Sequence, residues 1–381
     1  MSDRQDIPTF QGYRRADGRV GTRNYLGVLV VGNCAATAAR AVAAHFSPKR
    51  LAAYPNIDGV VPFIHELGCG MEKSGEPMDL LRRTLGGSIR NPNLAGAVVM
   101  ALGCERNNIY GFLEQEGLEC GPMLKTVVLQ EVGGTRAAID QGIEAIESML
   151  DEANRTQRTT VPVSELAVGL QADRDQRGNA VHDAIGHAVD KLVKSGGTVI
   201  VTDTANNAPA LIERAASGDV RDQLAQRISW WKSYTAGRDT PAPEANAPSF
   251  SGSTPLRAVF GYAHALPAKG LLLMDAPGHE AAASSGLIAS GATLLSLASR
   301  DVFPSDSTAA PTVRIAMNAA QHARFEEDLD IDAGADAVST EETGERIFAR
   351  WIAHASGDRT CGEELGLGEG QFVPWHIGVL A

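Results

Sequence analysis

Three cysteines stand where an apolar, strand-like run gives way to a turn: Cys34 in "GNCAAT", Cys69 in "LGCGM" and Cys104 in "LGCER". Cys120 and Cys361 have no such setting. A thiolate at a helix N-terminus has a lowered pKa and serves as a soft ligand for iron or as a nucleophile. Three of them make one site only if their strands are near neighbours in a sheet. The competing reading is that each is a small buried residue at a tight turn. His65 and Glu66 stand beside Cys69, and Glu105 follows Cys104. At the end of a strand His65 suits a metal ligand or general base, or else a hydrogen-bonded structural imidazole. Glu105 is a second catalytic candidate, or it favours the positive end of its helix.

The segment "GRVGTRNY" places Arg19, Arg23 and Asn24 around Gly18 and Gly21, just ahead of the first long apolar run. Arginines on a glycine-permitted turn suit bidentate capture of a carboxylate, and with Asn33 these are the candidate substrate-binding residues. As solvated surface charges they would need no ligand. Neither a GxGxxG fingerprint nor a Walker loop occurs, so nucleotide binding lacks its usual support.

Strand-like runs and helical periodicity alternate through the first part of the chain. "NYLGVLVVGNC" precedes "AATAARAVAAHF", "GVVPFIHELGCG" precedes "PMDLLRRTLGGSI", "AGAVVMALGCE" precedes "NIYGFLEQEG", and "MLKTVVLQEVGG" precedes "TRAAIDQGIEAIESMLDEAN". Such a series implies a mostly parallel sheet with helices on its faces, and in such a sheet ligands bind off the carboxyl ends of the strands. Residues 155–165 are polar and unpatterned and suit a linker between domains over 10–155 and 162–381. Strand-like runs resume with "LAVGLQAD", "GTVIVTDT", "KGLLLMDAPG", "ATLLSLASRD" and "TVRIAMN", and helices are expected over 180–194, 208–232, 254–266 and 340–356. The Pro- and Ala-rich span 239–253 is expected to be a mobile excursion. The fold class expected is α/β, in two domains with mostly parallel sheets flanked by helices.

Composition narrows the function classes. The 381 residues exceed what one core usually serves. With 34 Lys and Arg against 46 Asp and Glu, a formal charge of -12 and no long basic run, nucleic acid and anionic membrane surfaces are poor partners. A small anionic carboxylate remains open as substrate, through a locally basic pocket. No basic leader and no spanning apolar run is visible, so a cytoplasmic location is expected. Five cysteines without a repeating spacing form neither a disulfide framework nor a zinc pattern.

The segments "GYRRADGRVGTRNYLGVLVVGNCAAT", "HELGCGM", "LRRTLGGSIRNPNLAGAVVMALGCERN" and "LQEVGGT" resemble the second domain of the altronate and galactarate dehydratase family. "LLLMDAPGHEAAASSGLIASGATL", "VRIAMNAAQHARFEEDLDIDAG" and "FVPWHIG" resemble that family's C-terminal domain. The resemblance implies an iron-dependent hydro-lyase that takes water from a sugar acid to give a 2-keto-3-deoxy acid, with Cys34, Cys69 and Cys104 as metal ligands. It also implies a small β-rich domain ahead of Gly12, supplied here by a separate partner subunit if at all, as in the related sulfo-lyases acting on sulfolactate. A homo-oligomer stays open.

Two stretches depart from the family pattern. Where the family has a Gly-Leu-Gln-Cys-Gly-Gly-Ser-Asp-Gly type motif this chain reads "GLQADRDQRGN", with Ala172 at the cysteine position, and its "TDTANNAP" and "ASRDVFPSDS" differ at further strand ends. A sulfo-lyase large subunit and a non-catalytic sugar-acid-binding paralogue are therefore the alternatives to a dehydratase.

Overall fold

The structure is a computed structural model, and it describes residues 7–172, 180–202, 208–236, 249–299, 307, 309–334, 338–367 and 372–378. The first domain is built on a four-stranded parallel sheet. Its strands are β3 (Tyr25–Val30), β4 (Gly59–Phe63), β5 (Leu94–Ala101) and β6 (Leu124–Val128), after the short N-terminal strands β1 (Thr9–Arg14) and β2 (Val20–Gly21). The order is β4-β3-β5-β6, which makes β3 a central strand with β4 and β5 on either side.

Alternation along β3 explains why it is apolar throughout. Leu26, Val28 and Val30 enter one core with Val42, Ile146 and Met149, while Leu29 and the following Val31 enter the other with Met78, Leu81 and Phe112. A strand covered by helices on both faces must be hydrophobic at both parities. The helix Thr135–Arg155 carries its half of that core at helical spacing, through Ala138, Gly142, Ala145, Ile146, Met149, Leu150 and Ala153.

The second domain carries β8 (Ala167–Ala172), β9 (Thr198–Thr202), β10 (Leu256–Phe260), β11 (Gly270–Met274), β12 (Leu294–Ala298), β13 (Thr312–Ala316) and β14 (Ile331–Asp332). All pair in parallel, in the order β10-β11-β9-β8-β12-β13-β14. The α/β class and the two mostly parallel sheets agree with the sequence.

Three local expectations are corrected. Residues 155–165 are no bare linker: β7 (Arg158–Pro162) pairs antiparallel with β1, and a 3-10 turn Val163–Glu165 follows. The helix expected over 254–266 is instead the strand β10, where the short apolar run "LRAVF" is stopped by Gly261. The helix expected over 208–232 is two helices, Ala208–Glu213 and Gly218–Tyr234, divided where the Ser217 hydroxyl caps the second by accepting from Val220 N. Of the expected mobile span, 239–248 lies outside the described residues, and Phe250 is buried against the His182 ring.

The domains are joined by buried polar side chains that grip main chain across the seam. Asn91 Nδ2 donates to the carbonyls of Ile288 and Ala292, each at 2.8 Å. Asn93 Nδ2 donates to those of Thr293 and Ala309, while its Oδ1 accepts from Thr22 N at 2.8 Å. No helix among the described residues is long and apolar enough to cross a membrane.

Candidate active site

Because β4, β3 and β5 are adjacent, the turns that follow them open at one carboxyl edge, and Cys69, Cys34 and Cys104 stand on those three turns. The Sγ atoms of Cys34 and Cys69 are 3.1 Å apart. Cys34 and Cys104 are exposed and Cys69 is partly covered, so the thiols are open to solvent and not packed in a core.

Two glycines make the approach geometrically available. A Cβ on Gly32 would lie 2.7 Å from Glu105 Cγ and 3.6 Å from Cys69 Sγ. Gly68 has φ +103, and a Cβ there would lie 2.4 Å from the Val31 carbonyl oxygen. A side chain on Gly32 would displace Glu105, and one on Gly68 would move the turn that presents Cys69.

Burial, the hydrogen bond with Cys34 and the charges of Cys34, Glu105 and Cys104 together push the Cys69 thiol up to about 11. This reverses the lowered pKa expected of a helix N-terminus. The helix after Cys69 begins only at Glu76, too far along the chain to favour a thiolate, and acidic neighbours disfavour it. Near neutral pH Cys69 is a protonated thiol, and binding a cation there requires loss of its proton.

Glu105 lies beneath this edge and is buried. Its carboxylate accepts main-chain N–H groups from Leu102 and from Gly103, the latter at 2.7 Å, which fixes its orientation. Asn33 is beside Cys34, with its Nδ2 3.5 Å from Glu66 Oε2 at the rim.

The remaining predicted residues stand apart from this edge or serve the fold. His65 is buried. Its Nδ1 accepts from Leu67 N at 3.1 Å, so its Nε2 carries the hydrogen and donates to the Val30 carbonyl at 2.8 Å. With both nitrogens on main chain the ring has none left for a metal or a proton, and burial lowers its pKa to about 4 against the pull of the Val30 hydrogen bond. His65 therefore shapes the turn that carries Cys69.

Arg23 does capture a carboxylate in bidentate fashion, but it is the chain's own: Nε and Nη2 each lie 2.7 Å from a Glu363 oxygen. Its remaining N–H groups reach the carbonyls of Thr22, His354 and Asp358. Asn24 is equally engaged, through Asp58, Asn56 and Ala153. Arg19 is on the surface, paired with Asp17 at 2.6 Å.

One further side chain belongs to the site's support and carried no chemical signal in the sequence. Asn107 is fully buried, donates to the Val31 carbonyl at 3.0 Å and accepts from Arg82 Nε at 3.0 Å, tying the Cys104 turn to the Cys34 turn.

As for a metal, no group of three or more His, Cys, Asp or Glu side chains is placed to hold one among the described residues. The Cys34 and Cys69 sulfurs form a soft pair suited to sharing one cation such as iron, and Cys104 stands on the adjoining turn. Of the altered stretches, 173–179, 203–207 and 300–306 lie outside the described residues; Gly169–Ala172 is the end of β8, carrying its apolar residues into the core.

Residues 12–154 match the D-galactarate dehydratase/Altronate hydrolase second domain, and residues 247–380 match the D-galactarate/Altronate dehydratase C-terminal domain. The altronate dehydratase of Bacillus subtilis (strain 168) is 27% identical over 369 residues, covering 91% of this chain and 72% of that protein. The galactarate dehydratase (L-threo-forming) of Escherichia coli (strain K12) is 29% identical over 392 residues, covering 94% of this chain and 75% of that protein. The (2R)-sulfolactate sulfo-lyase subunit beta of Chromohalobacter salexigens is 29% identical over 221 residues, covering 57% of this chain and 52% of that protein. With both domains matched in order, and with the thiol edge in the first of them, the chain belongs to the altronate/galactarate dehydratase family.

Proposed function

We propose that this chain is a hydro-lyase, a carbon–oxygen lyase that eliminates water from a sugar acid such as altronate or galactarate to give a 2-keto-3-deoxy acid. The observation that carries the reading is the convergence of three strand-end thiols and a buried carboxylate at one parallel-sheet edge, with Cys34 and Cys69 Sγ 3.1 Å apart, in a chain of this family.

Elimination of this kind removes the proton on the carbon beside the carboxylate. The hydroxyl on the next carbon then departs as water, taking back the proton that the base removed, and the enol left behind tautomerises to the keto acid. Glu105 is proposed as the base. Its two main-chain donors hold the carboxylate in place, and taking the substrate proton discharges it. Asn33 is proposed to donate to a substrate hydroxyl at the rim. Cys34, Cys69 and the neighbouring Cys104 are proposed to hold iron, which when bound supplies a Lewis acid for the developing negative charge. The substrate's carboxylate makes it a small anion, so in a chain of formal charge -12 its binding requires a local cationic contact.

Sulfite elimination is the second reading, favoured by the similarity to a sulfo-lyase subunit. It uses the same proton abstraction with a different leaving group, and it would bring a small β-rich partner subunit with it. The two are separated by anaerobic assay of the iron-supplemented chain with galactarate, altronate and sulfolactate. Keto-acid formation from a sugar acid without sulfite release is the expected result. Sulfite release from sulfolactate, with no turnover of either sugar acid, would replace the hydro-lyase reading.

A further inference from the structure

Two thiols held against each other have a chemistry beyond metal binding, because together they can lose two electrons and join. The Cys34 and Cys69 sulfurs, 3.1 Å apart, make the one hydrogen bond between cysteines among the described residues, in a chain with 5 of them. A disulfide bond is about 2.05 Å long, so the pair stands about 1 Å from bonding distance. Cys34 is exposed, which leaves its side chain free to turn about χ1 toward its neighbour and open to a dissolved oxidant.

Main chain on both sides of the pair sets this approach. Asn33 N, next to Cys34, donates to the carbonyl of Leu67, two residues before Cys69, at 3.2 Å. The Gly68 carbonyl accepts from Asn107 N at 3.0 Å, and the Asn107 side chain holds the Val31 carbonyl at the same distance. Gly68 lies so close on Gly32 that a Cβ there would come within 2.6 Å of the Gly32 Cα. Thiols positioned in this way by the fold have a high effective concentration for each other and lose little further freedom on bonding. Cys104, on the adjoining turn, makes no hydrogen bond with either sulfur among the described residues, so the geometry selects the pairing of Cys34 with Cys69. An exposed disulfide of this kind belongs to the labile class, readily reduced again.

We propose that Cys34 and Cys69 form a reversible disulfide, and that this modification switches the thiol edge between a metal-holding and a closed state. The switching, though not the disulfide itself, rests on the iron-holding reading above. The oxidant is a low-molecular-weight disulfide such as oxidised glutathione. The Cys34 thiol gives up its proton and attacks one sulfur of that disulfide, forming a mixed disulfide and releasing one glutathione, which takes the proton. Cys69 then gives up its proton and attacks the Cys34 sulfur, expelling the second glutathione, which is protonated in turn. Two electrons pass from the pair to the oxidant, and two reduced glutathione molecules leave. The joined sulfurs are no longer available as thiolates, so neither serves as an anionic ligand, and Cys104 is left without them at the edge. Excess thiol reverses both exchanges and reopens the site.

The test is equilibration of the full metal-free chain, without oxygen, in glutathione buffers of graded oxidised-to-reduced ratio, followed by acid quenching, alkylation and mass mapping. The expected product carries a Cys34–Cys69 link and a mass lower by two hydrogen atoms, and dithiothreitol restores all 5 thiols. At about 1 mM reduced glutathione the link should exceed the mixed disulfide on either cysteine by about tenfold or more, the mark of an effective concentration above that of the buffer. Cys34→Ser and Cys69→Ser should each abolish the link, and Cys104→Ser should keep it. A mixed disulfide that persists on Cys34, a link made to Cys104 instead, or 5 free thiols at the most oxidising ratio overturns the proposal. Iron uptake tests the switch: the linked chain should bind less ferrous iron than the reduced chain by about tenfold or more, and equal uptake overturns it. Turnover by the reduced chain with no link at any ratio removes this proposal alone. A link in a chain whose reduced form takes up no iron and turns over no sugar acid removes the hydro-lyase reading and the switch with it, and leaves the disulfide standing.

Discussion

Cys34 and Cys69 are 35 positions apart in the chain, yet their sulfurs stand 3.1 Å from each other because β3 and β4 are neighbours in the sheet. Cys69→Ser keeps nearly the same volume and a hydrogen-bonding group, so the fold should lose no more than about 1–2 kcal/mol, read as a small shift in denaturant midpoint. Turnover on a sugar acid should fall by about a hundredfold or more, with loss of bound iron. A variant with wild-type iron and rate would return Cys69 to a packing role.

His65 should behave as a structural imidazole. Its folded pKa of about 4 lies below the unfolded value, so the unfolded chain binds more protons between about 6.5 and 4. Its contribution to stability is complete above about 6.5 and is lost as pH falls through the folded value. His65→Gln, compared with the wild type by chemical denaturation at several pH values, should show a flatter stability profile over that window. It should also leave the pH limbs of kcat in place. Disappearance of a kcat limb in the variant would make His65 the base.

The Arg23–Glu363 pair should act as a clamp between the two domains. Burial raises the Glu363 pKa, but the hydrogen bonds and charge of Arg23 outweigh it and leave the carboxyl below its usual range. The stabilisation is therefore fully present above the unfolded carboxylate's pKa and is lost as pH falls through the depressed folded value. Glu363→Gln leaves Arg23 buried without its counter-charge and should cost about 3 kcal/mol near neutral pH. The difference from wild type should shrink in acid. An equal cost at all pH values would mean the lost contact is packing and not charge.

Gly32→Ala should damage the site more than the fold. The added methyl group meets Glu105 Cγ, and relief requires the Glu105 side chain to move. About 1–3 kcal/mol of stability is the expected cost of such overpacking, and the rate should fall with it by about tenfold or more. Unchanged activity would show that Glu105 can move without consequence.

The strand, glycine, cysteine order around Cys34, Cys69 and Cys104 was legible because it is local. Their adjacency was not, since it depends on the sheet order β4-β3-β5, which crossover connections decide and no short window contains. Arg23 was visible as a carboxylate-capturing arginine, but Glu363 lies 340 positions away, so a ligand and the chain's own side chain could not be told apart. His65 failed as a ligand for a similar reason: its two partners are main-chain groups, to which a sequence motif is blind. At residues 254–266 a short apolar run was ambiguous between strand and helix, and the sheet context of β11 decided it. Asn91 and Asn93, in "RNPNL", carry no signal of this role in the sequence, and only the seam itself reveals that their amides hold the second domain.

The central claim is that the thiol edge holds iron for sugar-acid dehydration, and one paired measurement tests it most directly. The wild-type chain and a Cys34→Ser/Cys69→Ser variant are reconstituted with ferrous iron without oxygen, then assayed for bound iron and for 2-keto-3-deoxy acid formation from galactarate and altronate. The account predicts iron close to about one per chain and keto-acid formation in the wild type. It predicts loss of both in a variant that still folds. Keto-acid formation at the wild-type rate by the doubly substituted chain, or none by an iron-loaded wild type, would contradict it.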